Sequence, residues 1–136
     1  MLEPAQEAGV THGAGMGAAT GEAGRRRCPA PGAGPLVTAC VMSVFDVSEE
    51  DIARGSRGPA RVALARQVAM YLHHVILART LTDIAVGFGR DRTTVAHACR
   101  LVEDRRDEPE FDAMISELES ALHAGLALIR STRRAA

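Results

Sequence analysis

The stretch "FGRDRTTVAHACRLVEDRRD", residues 88–107, predicts an amphipathic helix that begins at Arg92. Gly89 allows a sharp turn before it, and Asp91 is expected to be the N-cap, with its carboxylate accepting from the free N–H groups of the first turn. At 3.6 residues per turn, one face of this helix is apolar and suited to a core. That face carries Val95, Ala98, Cys99 and Val102.

The opposite face of the same helix is polar. Hydroxyls that carry a methyl group, an imidazole and guanidiniums are the groups that contact base edges and phosphates in DNA. A solvated helix face has a similar composition, so this helix alone does not separate a DNA-reading helix from an ordinary surface helix. The face carries Thr93, His97, Arg100 and Asp104, with Arg92 and Thr94 beside them at the N-terminal end.

Composition narrows the fold class. The chain has 136 residues, 46% of them hydrophobic, which suits one small domain with a tail. Aromatic residues make up only 3%, so the core must consist of Leu, Val, Ile and Ala, which favours helices over a sheet. The three cysteines lie far apart without a CxxC pair, so neither a disulfide framework nor a zinc site is expected. His73 and His74 are adjacent and point in different directions, so we expect surface or helix-end residues and no metal site.

The chain divides into a leader and a helical part. Residues 1–34 are rich in Gly, Ala and Pro and lack periodicity, which indicates a disordered leader. Residues 35–120 are expected to form the domain, and residues 121–136 a helical extension and tail. No stretch approaches the roughly 18 apolar residues that span a bilayer, and no signal-peptide region is present, so a cytoplasmic protein is expected.

Helix signals follow one another through the domain. A short apolar helix is predicted over 36–45, and Ser48 with Asp51 forms a variant of the capping box. After the "RGSRGPAR" interruption, a helix is predicted over about 60–78, with one apolar side. That side carries Ala65, Val68, Ala69, Leu72, Val75 and Ile76. A last helix opens at Asp107 and Glu110, and its apolar stripe carries Phe111, Met114, Ile115, Leu118 and Leu122.

Residues 80–107 have the organisation of a helix-turn-helix. Thr80 and Asp83 are expected to cap the short helix "LTDIAVGF", and Gly87–Arg90 forms the turn into the helix quoted above. A short helix, a tight glycine turn and a second helix with polar groups at its start are typical of this motif. The sequence therefore predicts an all-α fold, a small helical bundle that contains a helix-turn-helix.

The charge distribution supports contact with an anionic partner. The net charge is −1, yet residues 54–100 contain eight arginines and two acids, a local balance of +6. From Asp107 onward there are six acids and three arginines, a balance of −3. A basic middle with acidic flanks is compatible with a modest DNA-binding module, because the acidic flanks limit non-specific binding.

Two strings resemble a known family. "ARQVAMYL" (65–72) and "LTDIAVGFGRDRTTVAHACRLVE" (81–103) are similar to the C-terminal DNA-binding domain of the bacterial replication initiator DnaA. That family has an arginine-glutamine pair on a long helix and a helix-turn-helix that ends in RDHTTVxHA. The resemblance covers about residues 36–120 and implies the same all-α, helix-turn-helix fold.

The resemblance also implies roles for single residues. Asp91, Thr93, Thr94 and His97 match base-contacting positions of the recognition helix. Arg66 matches an arginine that contacts the DNA backbone, and Arg100 is expected on a phosphate as well. Either Arg57 or Arg61 would supply the arginine that enters the minor groove.

Two departures from the family pattern are present. Arg92 stands where the family usually has histidine, and Gly89 stands alone where the family commonly has two glycines. The affinity for the DNA sites that this family binds (DnaA boxes), or the preferred DNA sequence, is therefore expected to differ. If Arg92 contacts a base, it would favour guanine; if it contacts a phosphate, it would raise affinity evenly.

The expected function is sequence-specific binding of double-stranded DNA, in regulation of transcription or replication at DnaA-box-like sites. Initiators of this family carry an ATPase domain ahead of the DNA-binding domain, whereas here only a short leader precedes it, and no lysine is present to serve a P-loop. We therefore expect no ATPase activity and no cofactor. The alternative is a protein-interaction module that binds the initiator or another regulator without reading DNA.

The sequence does not indicate an enzyme or a membrane protein. No paired carboxylates, nucleophile–base set or metal cluster is visible, so neither an enzyme nor a small-molecule substrate is expected. No membrane partner is expected either. The apolar residues of 121–129 do not keep to one stripe, which leaves a homodimer open beside packing back onto the domain.

Overall fold

The computed structural model describes residues 30–54 and 58–135, and within these ranges the regular structure consists of six helices. The helices are α1 (Ala33–Phe45), α2 (Glu49–Ala53), α3 (Ala60–Val75), α4 (Leu81–Phe88), α5 (Arg92–Arg105) and α6 (Pro109–Ala135). The predicted all-α bundle with a helix-turn-helix is confirmed.

The first helix begins earlier than its apolar pattern predicts. Gly32 has φ +93, and the next residue, Ala33, starts α1 with 1% exposure. Because Ala33 is buried in the core, the last two residues of the predicted leader belong to the helix. The rest of that predicted leader, up to residue 29, lies outside the described residues.

Side-chain caps fix the starts of α2 and α4 as predicted. The Ser48 hydroxyl accepts from the N–H of Asp51, and the Asp51 carboxylate accepts from the N–H of Ser48, both at 3.1 Å. The hydrogen bond from the N–H of Ser48, and secondly the Ser48 hydroxyl beside the carboxylate, hold the pKa of Asp51 below its usual value. The Thr80 hydroxyl accepts from the N–H of Asp83 at 3.0 Å, so both predicted caps are confirmed.

The long helix α3 lies at the centre of the core and packs against α1, α2, α4 and α5. Its buried residues include Ala65, Val68, Ala69 and Leu72, all at 0% exposure. The helix ends at Val75 and not at 78, and Val75 is 40% exposed, so its predicted place on the apolar side is wrong. The reason lies in the connection to α4, where Ala78 takes the left-handed conformation (φ +54) and turns the chain away.

His73 is the clearest correction to the sequence-based picture. It lies in the last turn of α3, as expected for a helix-end residue, but only 4% of it is exposed. Its Nε2 lies 3.2 Å from Thr38 Oγ1 of α1, and its Nδ1 lies 3.2 Å from a guanidinium nitrogen of Arg79. Its ring meets that of Phe88 edge-on at 5.5 Å. A surface position is wrong because these partners, from α1, the α3–α4 connection and α4, enclose the ring.

The last helix continues through the predicted extension and packs along α1. Gly125 makes a close approach possible, because a Cβ at this position would lie 2.9 Å from Leu36 Cδ2. Leu126 is 6% exposed, whereas Leu128 is 67% exposed. Near the C-terminal end, a guanidinium nitrogen of Arg133 donates to the carbonyl of Pro31 at 2.9 Å. Homodimerisation through this segment stays a prediction.

The end of α5 is joined to the other helices by Arg106. Its guanidinium bonds the Asp112 carboxylate at 2.6 Å, the Glu119 carboxylate at 3.2 Å and the Tyr71 hydroxyl at 3.0 Å. Tyr71 lies on α3, and both acids lie on α6. The position of α5 is therefore set at its C-terminal end by polar contacts as well as by packing.

Candidate nucleic-acid interface

The turn between α4 and α5 is built on one glycine. Gly89 has φ +65 and ψ 39, its N–H donates to the carbonyl of Val86, and the next N–H, of Arg90, donates to the carbonyl of Ala85 at 2.9 Å. This pair of bonds is a Schellman motif, which satisfies the last carbonyls of α4. A single glycine is therefore sufficient to close this turn, although the related family commonly has two.

The two faces of α5 are as predicted. Val95, Ala98, Cys99 and Val102 are between 0% and 8% exposed and pack into the core. Burial also raises the pKa of the Cys99 thiol. On the other side, the side chains proposed to contact DNA are exposed, and within residues 30–54 and 58–135 no hydrogen bond or ion pair engages them. They are Asp91, Arg92, Thr93, Thr94, His97 and Arg100.

Asp91 occupies the predicted N-cap position but does not act as predicted. Its backbone is extended, with φ −78 and ψ 152, and its carbonyl accepts from the N–H groups of Thr94 and Val95. Its carboxylate makes no capping hydrogen bond. The predicted side-chain cap is therefore wrong: the backbone alone starts α5, and the carboxylate is left exposed on the polar side.

Arg66 is half-buried and points back into the protein. Its Nε donates to the carbonyl of Ile52 at 3.0 Å, and its NH2 group donates to the carbonyl of Asp51 at 2.7 Å. Burial, together with the nearby charge of Arg90, lowers the pKa of Arg66. The two bonds leave its NH1 group without a partner in the described part of the chain. The expected DNA-backbone contact of Arg66 stays a prediction.

Only one of the two minor-groove candidates lies among the described residues. Arg61 is exposed in the first turn of α3, and its charge contributes to the lowered pKa of Asp51. Arg57 lies outside the described residues. The choice between the two arginines stays open.

One contact of this region was missed by the sequence analysis. A terminal nitrogen of Arg90, in the α4–α5 turn, donates to the carbonyl of Arg54 at 2.6 Å. Arg54 follows the last residue of α2 and is 36 positions earlier in the chain. No sequence signal pairs these residues, because arginine next to a glycine turn is equally suited to solvent.

A metal-binding cluster and a membrane span are both absent from the described ranges. No cluster of three or more His, Cys, Asp and Glu side chains there is arranged to hold a metal ion. None of the helices in these ranges combines the length and apolarity that a membrane span needs.

Comparison with known proteins gives a consistent result. Chromosomal replication initiator protein DnaA 2 of Chlamydia trachomatis is 34% identical over 88 residues, which are 65% of this chain and 18% of that protein. DnaA of Bifidobacterium animalis subsp. lactis is 40% identical over 75 residues, 54% of this chain and 13% of that protein. DnaA of Bordetella pertussis is 46% identical over 68 residues, 49% of this chain and 13% of that protein. This chain thus spans less than a fifth of the length of these relatives.

A family model agrees with the relatives. Residues 36–102 match the model described as the bacterial dnaA protein helix-turn-helix. The matched residues run from α1 to Val102 and so include α4, the turn and all but the last three residues of α5. Through residues 36–102, the chain therefore belongs to the family of bacterial DnaA helix-turn-helix domains.

Proposed function

We propose that this chain binds double-stranded DNA sequence-specifically at DnaA-box-like sites and regulates replication or transcription in the cytoplasm, without hydrolysing ATP. The observation that carries the proposal is the exposed face of α5. The side chains of this face that are proposed to contact DNA have no hydrogen-bond or ion-pair partners in the described part of the chain, while the opposite face of the same helix is buried. A helix held in this way can enter the major groove without rearranging the core.

The first turns of α5 would contact base edges. A threonine methyl, from Thr93 or Thr94, can pack on the methyl of thymine. The Asp91 carboxylate can accept from N4 of cytosine, and its lack of a capping bond leaves it available for this contact. His97, one turn further along, would add a donor or an acceptor according to its tautomer.

Arginines would supply the contacts to the DNA backbone and the minor groove. Arg100 is exposed on the same side of α5 and would bind a phosphate. The NH1 group of Arg66 would bind another while the rest of its guanidinium stays on the α2 carbonyls. Either Arg57 or Arg61 would enter the minor groove.

The proposal that ATP is not used rests on composition. The phosphates of a bound nucleotide in a P-loop need a lysine, and all 16 basic residues of this chain are arginines. We therefore expect ATP to change neither the thermal stability of the chain nor its affinity for DNA.

Selection of bound sequences from a random duplex pool, followed by titration of the winning duplex at several salt concentrations, tests the function. We expect an enriched motif and an affinity that falls steeply with salt, with a log–log slope of about −0.9 for each neutralised phosphate. Arg100→Met should make the slope shallower by about one unit. Arg130→Met removes the same charge from the exposed side of α6 and should leave affinity and slope unchanged. No enriched motif, with salt-independent binding, would instead favour a protein-interaction module.

Arg92 gives a second test, because it replaces the usual histidine of the family. A guanidinium can donate two hydrogen bonds to O6 and N7 of guanine, a contact worth about 1–3 kcal/mol of discrimination. The selected motif should therefore contain a guanine at the position that Arg92 faces, and Arg92→His should remove that preference without abolishing binding. Thr94→Ala or His97→Ala should weaken binding to every good site. Identical motifs for the wild type and Arg92→His would leave only a phosphate contact for Arg92.

A further inference from the structure

The guanidinium of Arg106 joins three helices at the C-terminal end of α5. It bonds Asp112, Ser116 and Glu119, all on α6, at 2.6, 3.1 and 3.2 Å. It also donates to the hydroxyl of Tyr71 on α3 at 3.0 Å. All three of its nitrogen atoms are therefore engaged. We name these five side chains the Arg106 hub.

The hub is partly sheltered from water. The side chain of Arg106 is 22% exposed and that of Glu119 is 25% exposed, while Tyr71 is 5% exposed. Bonds between a guanidinium and a carboxylate are charge-assisted and about twice as strong as neutral hydrogen bonds. By contrast, the neighbouring ion pair of Arg105 with Glu108 is 3.7 Å long and exposed, so it contributes little. The hub is therefore the stronger connection between the end of α5 and α6.

The helix to which the hub connects α5 is itself fixed. α6 packs along α1, where Gly125 allows a close approach to Leu36, and Leu122 is 0% exposed. The hub thus joins α5 to a packed helix and not to a free segment. Arg106 and α6 both follow the family-matched residues 36–102, so this connection lies outside the matched part of the chain.

The two ends of α5 are held in different ways. Its start is fixed by the turn at Gly89, whose N–H bonds back to α4, and by Val95, which is 0% exposed. After Val102 the burial stops, and residues 103–105 are exposed. The bonds of Arg106 to α3 and α6 come directly after this exposed turn. The end of α5 therefore depends on polar contacts, whereas its start depends on the turn and on packing.

We propose that Arg106 is a positioning residue for DNA recognition: by tying the end of α5 to α3 and α6, it holds Arg100 where a phosphate can meet it. This inference rests on the proposed function, in which Arg100 is a phosphate contact. A helix that is fixed at its start and released at its end moves most near its end. Arg100 therefore depends on the hub more than Thr94 does, which lies five residues after Gly89. Preorganising the helix in this way lowers the ordering cost of binding.

Arg106→Met removes the donor of the hub and keeps much of the side-chain volume. At a temperature where the variant is fully folded by circular dichroism, the selected duplex should bind about fivefold more weakly, because the end of α5 must then be ordered on binding. A residue that only adds stability would not change the affinity of a fully folded domain. Arg130→Met removes the same charge from an exposed position of α6 and should leave affinity unchanged. Wild-type affinity in Arg106→Met would overturn the proposal.

Arg106→Lys separates geometry from charge. Lysine keeps the positive charge, but its ammonium lacks the planar fork of donors that reaches α3 and α6 together. We therefore expect this variant to bind the duplex almost as weakly as Arg106→Met. Full affinity in Arg106→Lys would show that a positive charge near DNA is sufficient, and the positioning role would be wrong.

A double-mutant cycle distinguishes positioning from a direct contact with DNA. In an Arg100→Met background, Arg106→Met should weaken binding less than about twofold and leave the salt slope as it is, because the contact that the hub supports is already lost. In a Thr94→Ala background the loss should stay near about fivefold, since Thr94 lies close to the fixed start of α5. An undiminished loss in the Arg100→Met background, or a further change of about one unit in the salt slope there, would show that Arg106 contacts DNA by itself.

A measurement on the free protein keeps this inference apart from the proposed function. The N–H of Arg106 donates to the carbonyls of Val102 and Glu103 at 3.1 Å, and amide hydrogen exchange reports the opening of this last turn. Arg106→Met should speed exchange in residues 103–105 about tenfold, since charged hydrogen bonds are lost. Arg130→Met should not change it. Equal exchange in the wild type and Arg106→Met would show that the hub does not hold this end of α5.

The measurements separate the possible failures. If the wild type selects no duplex, the proposed function and the DNA role of Arg106 are both wrong, and the exchange rates still decide whether the hub holds α5. If Arg106→Met does not fold, Tyr71→Phe takes its place, because it removes only the hydroxyl that bonds Arg106 on α3. Tyr71→Phe should weaken binding about threefold, with the same dependence on Arg100. Wild-type binding by Tyr71→Phe would then overturn the proposal.

Discussion

Lowering the pH from 7 to 5 should destabilise this domain through one buried histidine. An arginine nitrogen can only donate, so Nδ1 of His73 must accept from Arg79, and the ring proton must be on Nε2, which donates to Thr38 Oγ1. Protonation of Nδ1 would remove the bond to Arg79 and place two cations side by side. Burial, and secondly the charge of Arg79, lower the pKa of His73 from 6.5 to about 4.

The magnitude follows from that difference in pKa. Between pH 6.5 and about 4, His73 is protonated in the unfolded chain but neutral in the folded protein. The contribution of neutral His73 to the free energy of unfolding is therefore fully present above this window and is lost as the pH falls through it. The whole difference corresponds to about 3 kcal/mol, of which about 2 kcal/mol should be lost between pH 7 and pH 5. Asp51 does not interfere, because its lowered pKa acts below 3.8.

Urea unfolding at pH 7 and pH 5, followed by circular dichroism, measures this loss. His73→Asn removes the titrating group and serves as the comparison: it should be less stable than the wild type at pH 7 but should lose about 2 kcal/mol less between the two pH values. Nuclear magnetic resonance of the ring protons gives the pKa of His73 directly. A wild type and a His73→Asn variant with the same pH dependence, or a ring that titrates near 6.5, would refute the reasoning.

Substitutions at three further positions test the helix-turn-helix itself. Gly89→Ala should lower the free energy of unfolding by about 1–2 kcal/mol. Because no atom lies within 4 Å of the added methyl, this loss comes only from the left-handed backbone (φ +65), which alanine rarely adopts. Gly89→Asn should recover much of that loss, because asparagine tolerates this conformation better. Thr80→Ala should cost about 1 kcal/mol, because the hydroxyl caps α4, whereas Asp91→Ala should cost less, because that carboxylate makes no capping bond. Asp91→Ala should weaken DNA binding more than Thr80→Ala does. A larger loss of stability for Asp91→Ala than for Thr80→Ala would contradict the absence of a capping bond from the Asp91 carboxylate.

The features that sequence predicted well depend on residues at most four positions apart. Ser48 with Asp51 and Thr80 with Asp83 form caps over three positions, so the residue types alone indicate them. The apolar stripe of α5 was also correct, because helical periodicity places those residues on one face whatever the rest of the chain does. These local signals were enough to predict the helix-turn-helix.

The features that sequence missed join distant parts of the chain. His73 contacts Thr38 across 35 positions, and Arg90 contacts Arg54 across 36. Such partners are set by how helices pack, and neither histidine nor arginine indicates by its type whether it faces solvent or a carbonyl. Asp91 is the exception, a local prediction that was wrong. Its backbone is extended like those of the capping residues Ser48 and Thr80, so only the direction of its side chain, which the residue type does not fix, separates it from them.

The string "GRDRTT" thus combines two kinds of residue that a sequence comparison treats alike. Gly89 and Arg90 serve the protein, the first by its left-handed backbone and the second by its bond to Arg54. Arg92 and the threonines after it are exposed and make no contact that the described fold needs. If the proposed function holds, a change among the exposed residues should alter the preferred DNA sequence at little cost in stability, whereas a change at Gly89 or Arg90 should disturb the turn that precedes α5. Arg92, where the chain departs from the family pattern, is one of these exposed residues. We therefore expect it to change the DNA sequence that the domain selects and not the stability of the fold.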